Sequence, residues 1–567
     1  MEPLRNLLGV IHQGCCSDLF GFLVDALTTK VRPPQSNTTQ KGSHLSRNEQ
    51  KTGDDFDVWH SRPLDVHRWS DFPEVNQLVD RVYDQFSDEQ KTNISGRSNN
   101  PGKASGKTHL KVVLLDLCVA WKNDPDMCLG VALGNDAYKV DSRYNAINIS
   151  RRIRSVVEEL KASDLIHVKV GSYTRSGNTR GNRTTRIKAT GLLEMHFEGL
   201  DIPPYAIGRH QDTECIIFNE TVQNTNTDKS GKRRRRKKKT SKPIEYQNTP
   251  ETNQWRKELI AYNNLLEETY IDILTLAEPT ITRQKSNGET QTIGINQNGK
   301  FVRRIFSRGE WTLNGRFYGG WWQQIGGDLR RDITLNNLPT VEVDYKGLHA
   351  SILAAEAGHY DKDKDIYDLG EQIQPQFDMK QQRKIVKLLV LTAINAATEK
   401  DALAAFRDDC ETGTPEKKLT NKELDQYLTK FIQLHPYLED KLCTDQGVRL
   451  MFLDSQITAK IIASFVKMKK PILSVHDSYI VQTTDVDLLR NEMKKASLDV
   501  VGTDLSVEQE ILSYDDVLRK PNPDRDIDTF KEILSMKKRT KQYEDRISEF
   551  MSFRKKYYPT TYWLIQY

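Results

Sequence analysis

The sequence predicts a multidomain α/β protein, and three observations carry that reading. At 567 residues the chain has room for about three or four domains of roughly 150 residues each. Strand-period and helix-period apolar patterns alternate along it. Polar, Gly/Ser-rich or strongly charged breaks separate the patterned segments, and 28% charged against 37% apolar residues suits a polar chain with some unstructured stretches. A peptide hormone, a knottin or a lone small binding module is excluded. No run approaches the roughly 18 apolar residues that a membrane-spanning helix needs, so no membrane partner is expected. Seven cysteines form neither a paired framework nor a ligand cluster, as reduced thiols in the cytoplasm would.

Residues 1–107 read as an N-terminal helical and partly disordered segment. The apolar stretch Leu19 to Leu27 is interrupted by Asp25 and preceded by Asp18 and Glu2, which suits an amphipathic helix and not an export signal. Pro33 to Asp55 and Asp88 to Lys107 are rich in Ser, Thr, Asn, Gln and Gly and read as flexible connections.

Residues 108–205 read as a first ordered unit. Leu110 to Trp121 has helical periodicity, and Ser150 to Ala162 places Ile153, Val156, Val157 and Leu160 on one helix face. Leu165 to Val170 and Thr184 to Ala189 alternate as the two arms of a hairpin. Arg175, Arg180, Arg183 and Arg186 sit at or beside its Gly/Ser/Asn-rich tip, where charge and hydrogen bonding suit phosphate contacts. Helices followed by a hairpin with a long basic tip resemble the winged-helix modules of replication initiators; an ordinary α/β subdomain with a basic surface loop stays open beside that reading.

Residues 206–254 read as a basic linker. Lys232 to Lys239 are eight consecutive cations, and without them the formal net charge of +5 becomes −3. Such a block repels itself and stays solvated. It suits a tether for polyanion phosphates, a solubilising spacer, or a nuclear address if the host cell has a nucleus.

Residues 255–520 hold the densest signals. A helical run, Trp255 to Leu276, comes first. In Pro339 to Leu353, Val341 and Val343 point to one strand face and Glu342 and Asp344 to the other, before the chain turns helical. In Ile472 to Val481, two apolar strand runs flank His476-Asp477-Ser478, so that acid lies at a hairpin tip. Two carboxylates brought together at strand ends raise each other's pKa and favour divalent cations. Between these segments, Met379 to Ala397 is helical, with Arg383 and Lys387 on one face as an i, i+4 pair suited to a triphosphate. Blander fates are open for each: a strand Asp is commonly a surface acid, an exposed cationic pair a solvated helix face, Glu342 the partner of a nearby Arg, and Trp321-Trp322 plain core.

The order acid strand, basic helix, His-Asp hairpin resembles motifs A, B and C of the family A DNA polymerases and single-subunit RNA polymerases. Asp344-Tyr345 resembles the start of motif A, Arg383-x3-Lys387 the fingers helix, and Val475-His476-Asp477-Ser478 motif C. Gly315-Arg316-Phe317-Tyr318 resembles the element preceding the palm, and Asp454 to Ile462 the Gln-bearing palm helix. The likeness covers about residues 300 to 485. It implies a right-hand fold, with an antiparallel palm sheet, helices and fingers. It also implies two Mg²⁺ ions, with Mn²⁺ as the alternative, held by Asp344 and Asp477. Arg383 and Lys387 would clamp a nucleoside triphosphate, with His349 and Asn395 at further nucleotide positions, and Arg316 and Gln456 on the duplex.

Two departures bear on sugar choice. Family members usually have Glu where this chain has His349, and Tyr-Gly where it has Asn395-Ala396. The His-Asp-Ser and Gly-Arg-Phe-Tyr elements lean to RNA polymerases, Asp-Tyr and the bulk of His349 to DNA synthesis, and the balance falls to deoxynucleotides. The expected activity is template-directed nucleotidyl transfer on a DNA primer-template, or with a DNA or RNA template, without proofreading. The alternative is a non-catalytic DNA-binding replication initiator or regulator with a degenerate palm. Residues 521–567 read as a C-terminal helix, through Phe530, Ile533 and Leu534, followed by an aromatic tail.

Overall fold

A computed structural model describes residues 56–95, 104–134, 137–172, 183–223, 239–284, 290–511, 513, 516–517, 519 and 539–558. The chain is mixed α/β and divides into two compact units. The first draws its described residues from 56–214, 271–299 and 539–558, and the second from 215–270 and 300–519. Among the described residues no helix is long and apolar enough to cross a membrane.

In the first unit the helix Gly106–Asn123 is apolar around most of its circumference, and Leu110, Val112 to Leu115 and Leu117 to Ala120 are all buried. A helix of that kind must be covered on several sides. Pro73–Gln85 supplies Val75, Leu78, Val79 and Val82 to the same core, and Ile153–Ala162 supplies the four apolar residues expected from its periodicity. Residues on both sides of 107/108 therefore share one core. Ser105 caps the central helix by accepting a hydrogen bond from the Thr108 N–H at 3.0 Å. The expected hairpin is present as Ile166–Lys169 antiparallel to Thr185–Ala189, and Cys128–Val131 and Ser61–Pro63 extend its sheet.

Asp88–Ser95, expected to be flexible, is a helix. Its start is fixed reciprocally: the Ser87 N–H donates to Gln90 Oε1 at 3.0 Å and the Gln90 N–H to Ser87 Oγ at 3.2 Å. Ile94 is fully buried, which ties the polar segment down. The helix Lys541–Tyr557 also belongs to the first unit, because Phe550 and Phe553 pack on Tyr205 and Phe72 while Arg546 pairs with the buried Asp272 at 2.8 Å. Residues 526–538 of the expected C-terminal helix, the 559–567 tail and the stretch before residue 56 lie outside the described residues.

The second unit contains two sheets. In one, Glu310–Tyr318, Arg303–Ser307, Ile216–Gln223 and Lys239–Pro243 lie in that order. The segment expected as a linker thus supplies two paired strands, Asn219 opposite Pro243 through Gln223 opposite Lys239. Residues 232–238 of the basic run are outside the described residues. The helix Pro250–Glu268 is capped by a reciprocal Thr249–Thr252 pair and stops before residue 271, where Ile271–Ile273 is strand. The β-branched Thr269, Ile271 and Ile273 favour that change.

The other sheet sets Ile472–Val475, Ser478–Gln482, Leu338–Tyr345 and Ile333–Leu335 side by side, with Val507–Gln509 also paired to the end of Leu338–Tyr345. Burial along Leu338–Tyr345 alternates as expected: Val341, Val343 and Tyr345 are buried, Glu342 and Asp344 half-buried.

Candidate functional site

Asp344 occupies the end of its strand, opposite Ser478 on one neighbour and Glu508 on the other. Asp477 immediately precedes Ser478 in a two-residue turn, and its carbonyl accepts a hydrogen bond from the Tyr345 N–H at 3.4 Å. His476, the first turn residue, has φ +58°, a left-handed geometry unusual outside Gly and Asn. The turn therefore fixes the second acid beside the first. Burial, followed by the negative charge of Asp477, pushes the Asp344 carboxyl up to about 8, and Lys387 pulls against that shift while Glu508 and Glu342 add to it. Asp344 Oδ1 is buried with no hydrogen-bond partner.

Glu342 has other company. Arg330 grips it with two bonds of 2.9 and 3.0 Å, and the Ser478 hydroxyl donates to it at 2.6 Å. The partnership with a nearby arginine that the sequence left open is realised.

Behind the acids runs a second polar group. Arg316 forms an ion pair with the fully buried Asp454 and donates from Nη2 to His349 Nε2 at 3.1 Å. Burial and the guanidinium beside it hold His349 down at about 3, so it is neutral. The accepted bond leaves the proton on Nδ1, which is buried without a partner. Burial and Asp477 raise the Asp454 carboxyl to about 6 while Arg316 lowers it, leaving it largely anionic at pH 7. Gln456 follows on the same helix, Gly447–Lys467, with Nε2 buried and unpartnered.

Arg383 and Lys387 project from the helix Met379–Asn395, whose N-terminus Asp378 caps by accepting the Gln381 N–H. Lys387 is exposed and near enough for its charge to act on Asp344. Arg383 pairs with Asp365 and lies 5.9 Å from the centre of the Tyr367 ring. Tyr367 packs on Gly347, where φ is +55° and a Cβ would meet the ring at 2.8 Å; only a glycine lets the chain turn there from the Asp344 strand into Leu348–Glu356. A cavity of about 510 Å³ opens alongside, lined by Lys346, Gly347, Tyr360, Tyr367, Arg383 and Glu508 among others.

One predicted nucleotide residue, Asn395, is not brought to the acids, and the described hairpin arginines belong to the first unit. Asn395 ends the same helix exposed, bonded to Leu391 O at 2.7 Å, about 12 Å of helix rise beyond Lys387. Arg186 spends its donors within the first unit, on Val58 O, Ser61 Oγ and Thr184, and Arg183 bonds Val170 O at 2.7 Å. Arg175 and Arg180 lie outside the described residues. Trp321 and Trp322 are 1% and 0% exposed, and are core.

Sequence reasoning missed Asp454, Tyr367 and Glu508. Asp454 carried a signal, an acid on the apolar face of a helix, which is costly unless paired. Glu508 carried none, because its strand pairs with a segment far earlier in the chain.

Among the described residues no three or more His, Cys, Asp or Glu are gathered as a metal cage. Asp344 and Asp477 are a two-carboxylate set with an orphan oxygen, the kind of donor set that suits Mg²⁺ together with water and substrate phosphates. No family model matches the chain, and no curated protein sequence matches it.

Proposed function

We propose that the chain catalyses template-directed nucleotidyl transfer, with DNA as the favoured product, through a right-hand palm and fingers in the second unit. The first unit would bind nucleic acid in the manner of a winged helix. The reading rests above all on Asp344 and Asp477 sharing one strand end, with the Asp344 carboxyl raised to about 8. Mg²⁺ or Mn²⁺ held by this pair would supply positive charge to the attacking 3′-hydroxyl and the departing pyrophosphate.

The chain's own residues divide the remaining work. Lys387 and Arg383 face the triphosphate, and the neutral His349 offers its Nδ1 proton to the sugar or base. Arg316 holds His349 in that tautomer and cannot leave without stranding Asp454, so it positions its neighbours before it touches a duplex.

Primer extension by the full-length protein with Mg²⁺ and either dNTPs or NTPs tests the proposal and the sugar preference together. Asp477→Ala is expected to abolish incorporation while duplex affinity, read by fluorescence anisotropy, stays within about twofold, because an isolated acid contributes little to phosphate-backbone affinity. Parallel loss of binding and incorporation would count against it.

A second reading, a DNA-binding initiator with a degenerate palm, draws on Asn395 lying away from the acids and on Arg383 being closed onto Asp365. The Asp365 pair also makes a prediction. An exposed ion pair is worth about 0.2–1 kcal/mol, so Asp365→Asn should lower the half-saturating triphosphate concentration up to about fivefold with kcat unchanged. An unchanged concentration would mean that Asp365 does not compete for Arg383.

A further inference from the structure

Arg304, on the strand Arg303–Ser307, is 2% exposed and forms no ion pair among the described residues. Its Nε donates to Gly315 O at 2.8 Å and its Nη2 to Ser455 Oγ at 3.1 Å. A guanidinium carries five N–H donors, so several remain. The rings of Trp255, Phe306 and Phe317 lie 5.0, 5.2 and 5.3 Å from its centre, which steadies the cation without neutralising it. Burial pushes its pKa down to about 10, so it keeps its charge at neutral pH, and Glu258 is the carboxylate whose field it feels.

Arg304 lines a cavity of about 210 Å³ between the helices Pro250–Glu268 and Gly447–Lys467. Trp255, Leu259, Phe317, Ile462, Ala463 and Val466 make its walls apolar, and Lys257 and Lys467 stand among its lining residues. Two lysines and Arg304 against one Glu give the cavity a surplus of positive charge. A buried cation that no carboxylate among the described residues contacts, lining a mostly apolar cavity of net positive charge, is complementary to one chemistry: a carboxylate carried on an aliphatic or aromatic body.

We propose that this cavity is a binding site for a small amphiphilic carboxylate, whose head reaches Arg304 and whose apolar body lies between the two helices. Arg304 itself bonds Gly315 and Ser455, the sequence neighbours of Arg316 and Asp454. The site is separate from the acid pair and its binding does not depend on what that pair does.

Calorimetric titration of the full-length protein with octanoate, and with 1-octanol as the uncharged body of equal length, tests the site. Octanoate is expected to bind saturably and at least about tenfold more tightly than octanol, the worth of a charge-assisted hydrogen bond. Arg304→Met, which keeps the stem and removes the charge, should bring the two ligands level. Ala463→Trp, which fills the space, should abolish octanoate binding. Equal affinity of octanoate and octanol for the unmodified protein would overturn the proposal without recourse to any variant. So would undiminished octanoate binding by a folded Ala463→Trp protein or, if that variant does not fold, by Val466→Phe.

Discussion

Asp344→Asn is expected to abolish nucleotide incorporation and, in metal-free buffer above about pH 8, to make the protein more stable. The sign follows from the raised carboxyl. Asp344 titrates near 8 in the folded chain, whereas an unfolded Asp titrates near about 3.9. Between those values the folded state holds a proton that the unfolded state has released. Stability therefore falls as pH rises through the window and levels off above it. Asn never ionises, keeps the shape and escapes the penalty. Discounted for the partial exposure of Asp344, the gain is about 1–3 kcal/mol at pH 9 and close to nothing near pH 4. Incorporation should drop at least about 10²–10³-fold, as when a preorganised charge contact is removed. Urea unfolding at several pH values, beside primer extension, gives both numbers. A variant less stable than the parent at pH 9 would show that Asp344 is not a strained acid.

The second large effect concerns Arg316. Arg316→Ala leaves Asp454 buried without its cation, and such losses cost about 3–5 kcal/mol. Asp454 already titrates near 6, so losing Arg316 lets it take up a proton more readily. The loss should accordingly be smaller at pH 5 than at pH 8. Arg316→Met combined with Asp454→Leu removes both charges and should restore most of the stability, while incorporation stays low because His349 loses its anchor. A single variant that costs less than about 1 kcal/mol would reduce the pair to a surface-like contact.

The parts of this arrangement that were legible in the sequence are local. Val341 and Val343 alternating with Glu342 and Asp344, and two apolar runs flanking His476-Asp477, fix strand faces and a turn within a few residues. Arg383 and Lys387 follow from helix geometry alone. The unread parts depend on distant pairing. Nothing near Glu508 says that its strand joins Asp344, and nothing near Phe550 or Phe553 says that their helix packs on Tyr205. Arg316 was expected on the duplex, and its ion pair with Asp454 was unread because that partner lies far along the chain. Residues 206–254 read as a linker because their polar and basic composition hides the strands Ile216–Gln223 and Lys239–Pro243, the first of which also pairs with the distant Arg304 to Phe306.

The most direct test is a ¹³C carboxyl titration of Asp344 in the metal-free protein, with and without Asp477→Asn. Burial and Asp477 are the two largest causes of its raised value. A midpoint near 8 that falls by about 1 unit or more when Asp477 is neutralised is the expected result. An ordinary carboxylate midpoint, or one indifferent to Asp477, would mean that the two acids do not form one site.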